Sequence, residues 1–343
     1  VNNALYGKTQ PELAWWHFAH WERWGKWDRV GGVVPYLYKQ ALPGAIQKAK
    51  SLGYEGARWN RMDDEVAASS HSATNPISIW QQPHPFYFAE LEYQAESNNE
   101  TLQKWHIVLE ETAKFMMSFV RFNSTTTKYD LPAPIHSMDM MSMNADDKDV
   151  RNPPFELAYW RFGLDIMAKW YDRQGFPVPA NITKFYNGLA PFPMMDGSYI
   201  RFEGVDDMWS NSKSVSNHPA FAGMFGMLPP DPRLNMTAFQ HSMAIVYGGW
   251  RITSNHTWDF PMLAMTAARS GDSSRAVDLL LHDTFVFNQA GMSIAKESTT
   301  PHFASSGGLL MAVAMLANGW KELHGRHWPK DWVCESEGFN PGL

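Results

Sequence analysis

Apolar side chains return every three to four positions through most of this 343-residue chain, the spacing of a helix that buries one face. Such segments run from Pro11 to Trp24, Val33 to Leu52, Pro85 to Glu96, Thr101 to Phe122, Pro154 to Gln174 and Asn181 to Leu189. They continue from Pro219 to Gly226, Met236 to Gly248, Pro261 to Ser270, Ser274 to Asn288 and Gly307 to Leu323. Several open on proline, which the first helical turn accepts because its N–H has no partner there anyway. Strand-like alternation is confined to SYIRF, Ser198 to Phe202, which reads as one arm of a small hairpin.

Eleven helices, joined alternately by short links and by loops of roughly 15 to 30 residues, predict an all-α stack of helical hairpins. No period of about 20 to 50 residues repeats, so a regular solenoid is not expected. The long loops span Gly53 to His84, Asn123 to Pro153, Ala190 to Asn217, Trp250 to Phe260 and Gly291 to Ser306. They hold much of the Trp, His, Asp and Asn, and long loops in compact domains commonly carry function. Hairpins that carry such loops at one end describe an α/α toroid around a cleft.

Composition narrows the partners. A net charge of −6 without a Lys/Arg run leaves no electrostatic footprint for nucleic acid or an anionic membrane. No run of about 18 apolar residues is long enough to span a bilayer. Aromatic residues are abundant, with 16 Trp, 12 Tyr and 20 Phe, and their rings serve both as core and as platforms for sugar C–H faces. The single Cys334 excludes an internal disulfide, which favours a reducing compartment. Against that stand five N-x-S/T sequons, at Asn99, Asn123, Asn181, Asn235 and Asn255. Composition alone would give roughly two, so the sequence reads as a secreted glycoprotein.

Five stretches carry a family resemblance: GKTQPELAWWHFAHW from Gly7, GARWNRMDDE from Gly56, NPISIWQQPHPFYFAEL from Asn75, NPPFELAYWRFGL from Asn152 and WDFPMLAMTAARSGD from Trp258. In that order they resemble the catalytic barrel of six-hairpin glycosidases, in an uncharacterised branch near glycoside hydrolase family 65 and the α-fucosidases of family 95. The resemblance covers Gly7 to Leu323 and implies an (α/α)6 barrel over residues 1–325, followed by a tail at 326–343. Relatives place a β-sandwich domain and a first barrel helix ahead of the segment matching Gly7. Their absence here, with Val1 as first residue, is the expectation for a processed piece of a longer precursor, whose other fragment would be a partner.

Glycoside hydrolysis needs one carboxylic acid to protonate the leaving oxygen and a second carboxylate to activate water. The acid keeps its proton best in a partly apolar pocket. Asp139, among Met138, Met140 and Met141, has that company, and the resemblance puts the general acid in this loop. Relatives ordinarily have Glu there, and a misplacement of about 1 Å can cost ~100-fold in rate. Glu156, in the first turn after Asn152-Pro153-Pro154, is a second candidate, although a carboxylate there also suits the helix dipole. Asp259 follows Trp258 at a helix start and is the candidate base, with an N-cap as the plain alternative. The relatives' other base position matches HFASSGG, His302 to Gly308, which lacks Asp and Glu. Asp146, Asp147 and Asp149 read as a solvated acidic run.

Sugar hydroxyls call for forked donors, amides and aromatic faces, which Arg58, Trp59, Gln81, Gln82 and His84 offer, together with Trp16, His17 and Trp258. Glu203, Asp206, Asp207 and Trp209 are further rim candidates. The histidines lack H-x-x-x-H spacing, so neither a metal site nor a cofactor is expected. A phosphorolytic variant would suit Ser305 to Gly308 at a helix start, though not a secreted protein. The expectation is an inverting hydrolase of a short glycan or glycoconjugate, with Asp139 as acid and Asp259 as base. The alternative is a non-catalytic carbohydrate-binding or scaffold protein that keeps the toroid.

Overall fold

The computed structural model describes residues 10–62, 74–138, 148–211, 214–250, 257–294 and 301–343. Eleven α-helices are formed by these residues. They are α1 Ala14–Arg23, α2 Val34–Ser51, α3 His84–Ala95, α4 Asn99–Phe119, α5 Pro154–Arg173 and α6 Ala180–Gly188. Then come α7 Gly223–Gly226, α8 Met236–Gly249, α9 Asp259–Arg269, α10 Ser273–Leu280 and α11 Phe303–Asn318. None is long and apolar enough to cross a membrane.

Their packing alternates. The odd-numbered helices contact one another in the sequence α1, α3, α5, α7, α9, α11, and α11 returns to α1, closing an inner ring. Even-numbered helices lie outside it, with α2 against α4, α4 against α6 and α10 against α9. This is the (α/α)6 toroid. The division is written in burial. Every residue of α9 from Asp259 to Arg269 is buried, as is every residue of α3 from His84 to Glu92, because an inner helix has neighbours on all sides. The outer helix α10 buries only Ala276 and Val277.

Local signals set the helix starts. Asn98, Asn235 and Asp272 accept the N–H of Thr101, Ala238 and Arg275, capping α4, α8 and α10. The ring closes tightly because Gly307 and Gly308 have no side chain to hold α11 off α1. A Cβ on Gly307 would stand 1.9 Å from the Trp16 carbonyl oxygen.

At the C-terminal ends of the inner helices the ring is tied by cations, where carbonyl-rich helix ends favour positive charge. Arg23 of α1 donates to Gln94 at 2.8 Å, Arg173 of α5 forks onto Glu90 at 2.6 and 3.0 Å, and Arg269 of α9 donates to Phe225 O and Leu228 O at 2.7 and 2.8 Å. Residues 326–343 pack back against this end, with Asn340 N donating to Arg23 O at 2.9 Å and Phe339 edge-on to Trp24.

Two-residue and three-residue hairpins fill the loops: β1 Arg121–Asn123 with β2 Lys128–Asp130, β3 Met194–Met195 with β4 Ser198–Tyr199, β5 Val286–Phe287 with β6 Ser293–Ile294, and β7 Gly319–Trp320 with β8 Leu323–His324. The second contains the strand expected at Ser198. The others replace the expected ends of three helices: α4 stops at Phe119, α10 at Leu280 and α11 at Asn318.

Candidate active site

Because the inner helices run parallel, their N-terminal ends meet at one end of the toroid. Contacts run around that end. His84 of α3 bonds the carbonyl of Glu12, just before α1, through Nε2 at 3.0 Å, and Tyr159 of α5 through Nδ1 at 2.9 Å. Phe155 of α5 would meet a Cβ on Gly223 of α7 at 2.8 Å. His218, ahead of α7, bonds Asp259 of α9 through Nδ1 at 2.7 Å. Trp258 lies 5.3 Å from Trp16 of α1, ring to ring. Ser305 of α11 bonds both His302, at 2.7 Å, and Thr257.

Asp259, the candidate base, is 3% exposed and sits in the first turn of α9, where the helix dipole favours its charge. Its Oδ1 is held by His218, whose ring stacks on Trp258 with centroids 3.9 Å apart and planes 27° apart. One face of Trp258 is therefore covered by an imidazole. Glu156, 1% exposed, accepts the Met138 N–H through Oε1 at 2.6 Å. It fixes the end of the segment 131–138, which is also tied at His136 N to Ile77 O and at Leu131 to Asn152 in both directions. Asn152 adopts a left-handed φ of 50° to make those bonds and donates its Nδ2 to Asp130 and Glu203. Asp139, the candidate acid, immediately follows Met138 in sequence and lies outside the described residues, as do Asp146 and Asp147.

Five of the residues expected to contact sugar, Arg58, Trp59, Gln81, Gln82 and His84, are buried and bonded within the protein. Arg58 is fully buried and donates through Nη2 to the carbonyls of Asn75, Pro76 and Ser78 at 3.0, 2.8 and 3.2 Å. Burial lowers its pKa to about 10. Gln81 and Gln82 both turn onto the backbone of Trp59, Gln81 Nε2 reaching Trp59 O at 3.0 Å and Gln82 Oε1 accepting from Trp59 N at 3.0 Å. The Trp59 indole donates to Thr112 of α4 at 3.0 Å. His84 is fully buried, and desolvation brings its pKa down to about 3. These five side chains hold the loop before α3 against α4 and α5. Of the rim candidates, Glu203 pairs with Arg151 at 3.1 Å and Asp207 accepts from Asn211 at 2.9 Å.

Trp16 is 1% exposed, whereas His17 is half-buried, and its pKa falls to about 4, chiefly through desolvation. The Trp16 indole N–H, His17 Nε2 and the Ser306 hydroxyl find no hydrogen-bond partner among the described residues. This end thus holds hydrogen-bonding capacity that those residues do not consume. His218 was not singled out in sequence as a site residue, since its partner Asp259 is 41 positions away. Among the sequons, Asn99, Asn181 and Asn235 are exposed, Asn123 is half-buried in β1, and Asn255 lies outside the described residues.

No protein-family model and no curated protein sequence matches the chain. Solved structures do. A putative kojibiose phosphorylase from the human microbiome is similar at a TM-score of 0.58 and 13% identity, over 82% of this chain and 46% of its own length. A wild-type glycosidase is similar at a TM-score of 0.60 and 12% identity, over 90% of this chain and 87% of its own. A variant glycosidase in complex with glucose gives 0.62 and 11%, with the same coverage. The chain spans about half the length of the phosphorylase it matches.

Proposed function

We propose that this chain, whose fold is that of glycoside-processing enzymes, hydrolyses a glycosidic bond in a short glycan or glycoconjugate with inversion. The observation that carries the reading is Asp259. Its carboxylate is buried at the N-terminal end of an inner helix, held by His218 and next to Trp258, at the end of the toroid where polar atoms of α1 and α11 find no partner among the described residues. A similar glycosidase in complex with glucose supports a sugar as the ligand.

In this reading Asp139 protonates the leaving oxygen and Asp259 draws the proton from the attacking water. Inversion calls for their carboxyls about 6.5 to 9.5 Å apart, which leaves room for that water. Glu156 and Asn152 hold the segment leading to Asp139. Arg58, Trp59, Gln81, Gln82 and His84 support the loops from beneath, and His17 reaches the sugar. The sequons suit a secreted glycoprotein, and a second fragment of the same precursor would be its partner.

Hydrolysis of a panel of α-linked disaccharides and aryl glycosides by Asp139→Asn and Asp259→Asn tests the assignment. Each variant loses about 1,000-fold or more in kcat, since removing a positioned acid or base forfeits at least ~100-fold and here also the charge. A second reading rests on the start of α11, where His302 to Gly308 offer no carboxylate and Ser305 is bonded to His302 and Thr257. It is a carbohydrate-binding protein that keeps the toroid without turnover. Sugar binding by a parent protein that hydrolyses nothing in the panel would establish it.

A further inference from the structure

The geometry points to His218 as a positioning residue that sets both the orientation and the basicity of Asp259. This inference rests on the reading of Asp259 as the base. Three observations on described residues carry it. His218 Nδ1 and Asp259 Oδ1 are 2.7 Å apart, with both residues under 5% exposed, so the bond forms in a medium where it is electrostatically strong. The imidazole plane is fixed by stacking on Trp258 at 3.9 Å, which removes the freedom to swing the donor away. Trp258 in turn is braced by Trp16 at 5.3 Å, so the orientation of the carboxylate is referred to the seam where α1 and α11 close the ring.

The chemistry has a sign. An N–H that donates to a carboxylate stabilises the charged form and lowers its pKa. For an Asp259 that acts as base, a donor on His218 favours the carboxylate form that takes up the proton. Removing the donor raises the pKa of Asp259, and the acidic limb of the rate profile, which reports ionisation of the base, moves to higher pH. Other titratable groups stand on the elements packed around this end of α9: His17 and His20 on α1, His302 before α11, His282 stacked on Phe260, and Arg201 and Glu156 beyond residues 220–222. They are common to parent and variant, so the difference between the two profiles isolates the His218 contribution.

The test uses the full chain and the best aryl glycoside from the panel. His218→Ala lowers kcat by about 10- to 100-fold with KM within about twofold, and shifts the acidic limb upward by about one pH unit. His218→Asn, whose amide nitrogen falls near the position of Nδ1, restores most of kcat and returns the limb. A role in packing alone would lower folded content without moving the limb. An unmoved limb in His218→Ala, or His218→Asn as slow as His218→Ala, overturns the inference. Undiminished activity in Asp259→Asn removes the reading beneath it, and that result is read independently of His218.

Discussion

Closure of the ring rests on Gly307. An alanine there would place its Cβ 1.9 Å from Trp16 O and 2.9 Å from Trp16 C, against the ~3.5 Å of ordinary contact. The obstructing atoms are backbone in the first turn of an inner helix, so no side chain can swing aside. Either α11 moves off α1 or the backbone of α1 shifts. Overpacking of this kind costs about 3 kcal/mol. At about 2 °C per kcal/mol for a domain of this size, Gly307→Ala should melt about 6 °C below the parent. Gly248→Ala is the control: it is exposed in the last turn of α8, nothing lies within 4 Å of its Cβ, and alanine gains up to ~1 kcal/mol in helix propensity. Thermal melts by circular dichroism compare the three. If Gly307→Ala melts within about 1 °C of the parent, the argument for a glycine-dependent seam is wrong.

Acid stability follows from the histidines of the inner ring. Burial lowers His20 and His302 to about 4 and His84 to about 3, whereas in the unfolded chain each titrates near ~6.5. Between those values the unfolded state binds more protons, so stability falls as pH drops from about 6.5 toward 4, by roughly 1 kcal/mol per pH unit for each histidine. Urea midpoints measured across that window should decline, and a flat profile would contradict the assignment of neutral buried imidazoles. The Glu156 contact makes a separate forecast for hydrogen exchange. Glu156→Gln retains an oxygen acceptor and keeps the Met138 amide protected, whereas Glu156→Ala exposes it about tenfold or more. Equal protection in the two variants would show that the carboxylate does not hold that amide.

The fold was largely legible because an inner or outer helix announces itself by spacing and by its first turn. Pro154 to Gln174 was expected and Pro154–Arg173 is found, and the start at Pro154 is visible from proline at the first helical position. The misses have local causes. Leu281, Phe285 and Phe287 carry the apolar pattern past the true end of α10 at Leu280, yet Leu281 is 70% exposed and the chain turns into β5 and β6. Gly291, with φ 73° in that turn, was the available signal. In the site, polar residue types were legible but their depth was not. Arg58, Gln81 and Gln82 have the groups that bind sugars, and the same groups satisfy backbone carbonyls and N–H donors in a loop, which sequence does not distinguish. His218 could be found only through a partner on another helix.

The claim that this toroid hydrolyses glycosides with inversion is tested most directly by proton NMR of the reaction as it proceeds. With α-linked disaccharides and aryl glycosides as substrates, the account predicts that the first free sugar released by the parent protein carries the β-anomeric configuration. It further predicts that no sugar is released by Asp139→Asn. First appearance of the α anomer would contradict inversion, and saturation-transfer signals from bound sugar without any release would contradict hydrolysis itself.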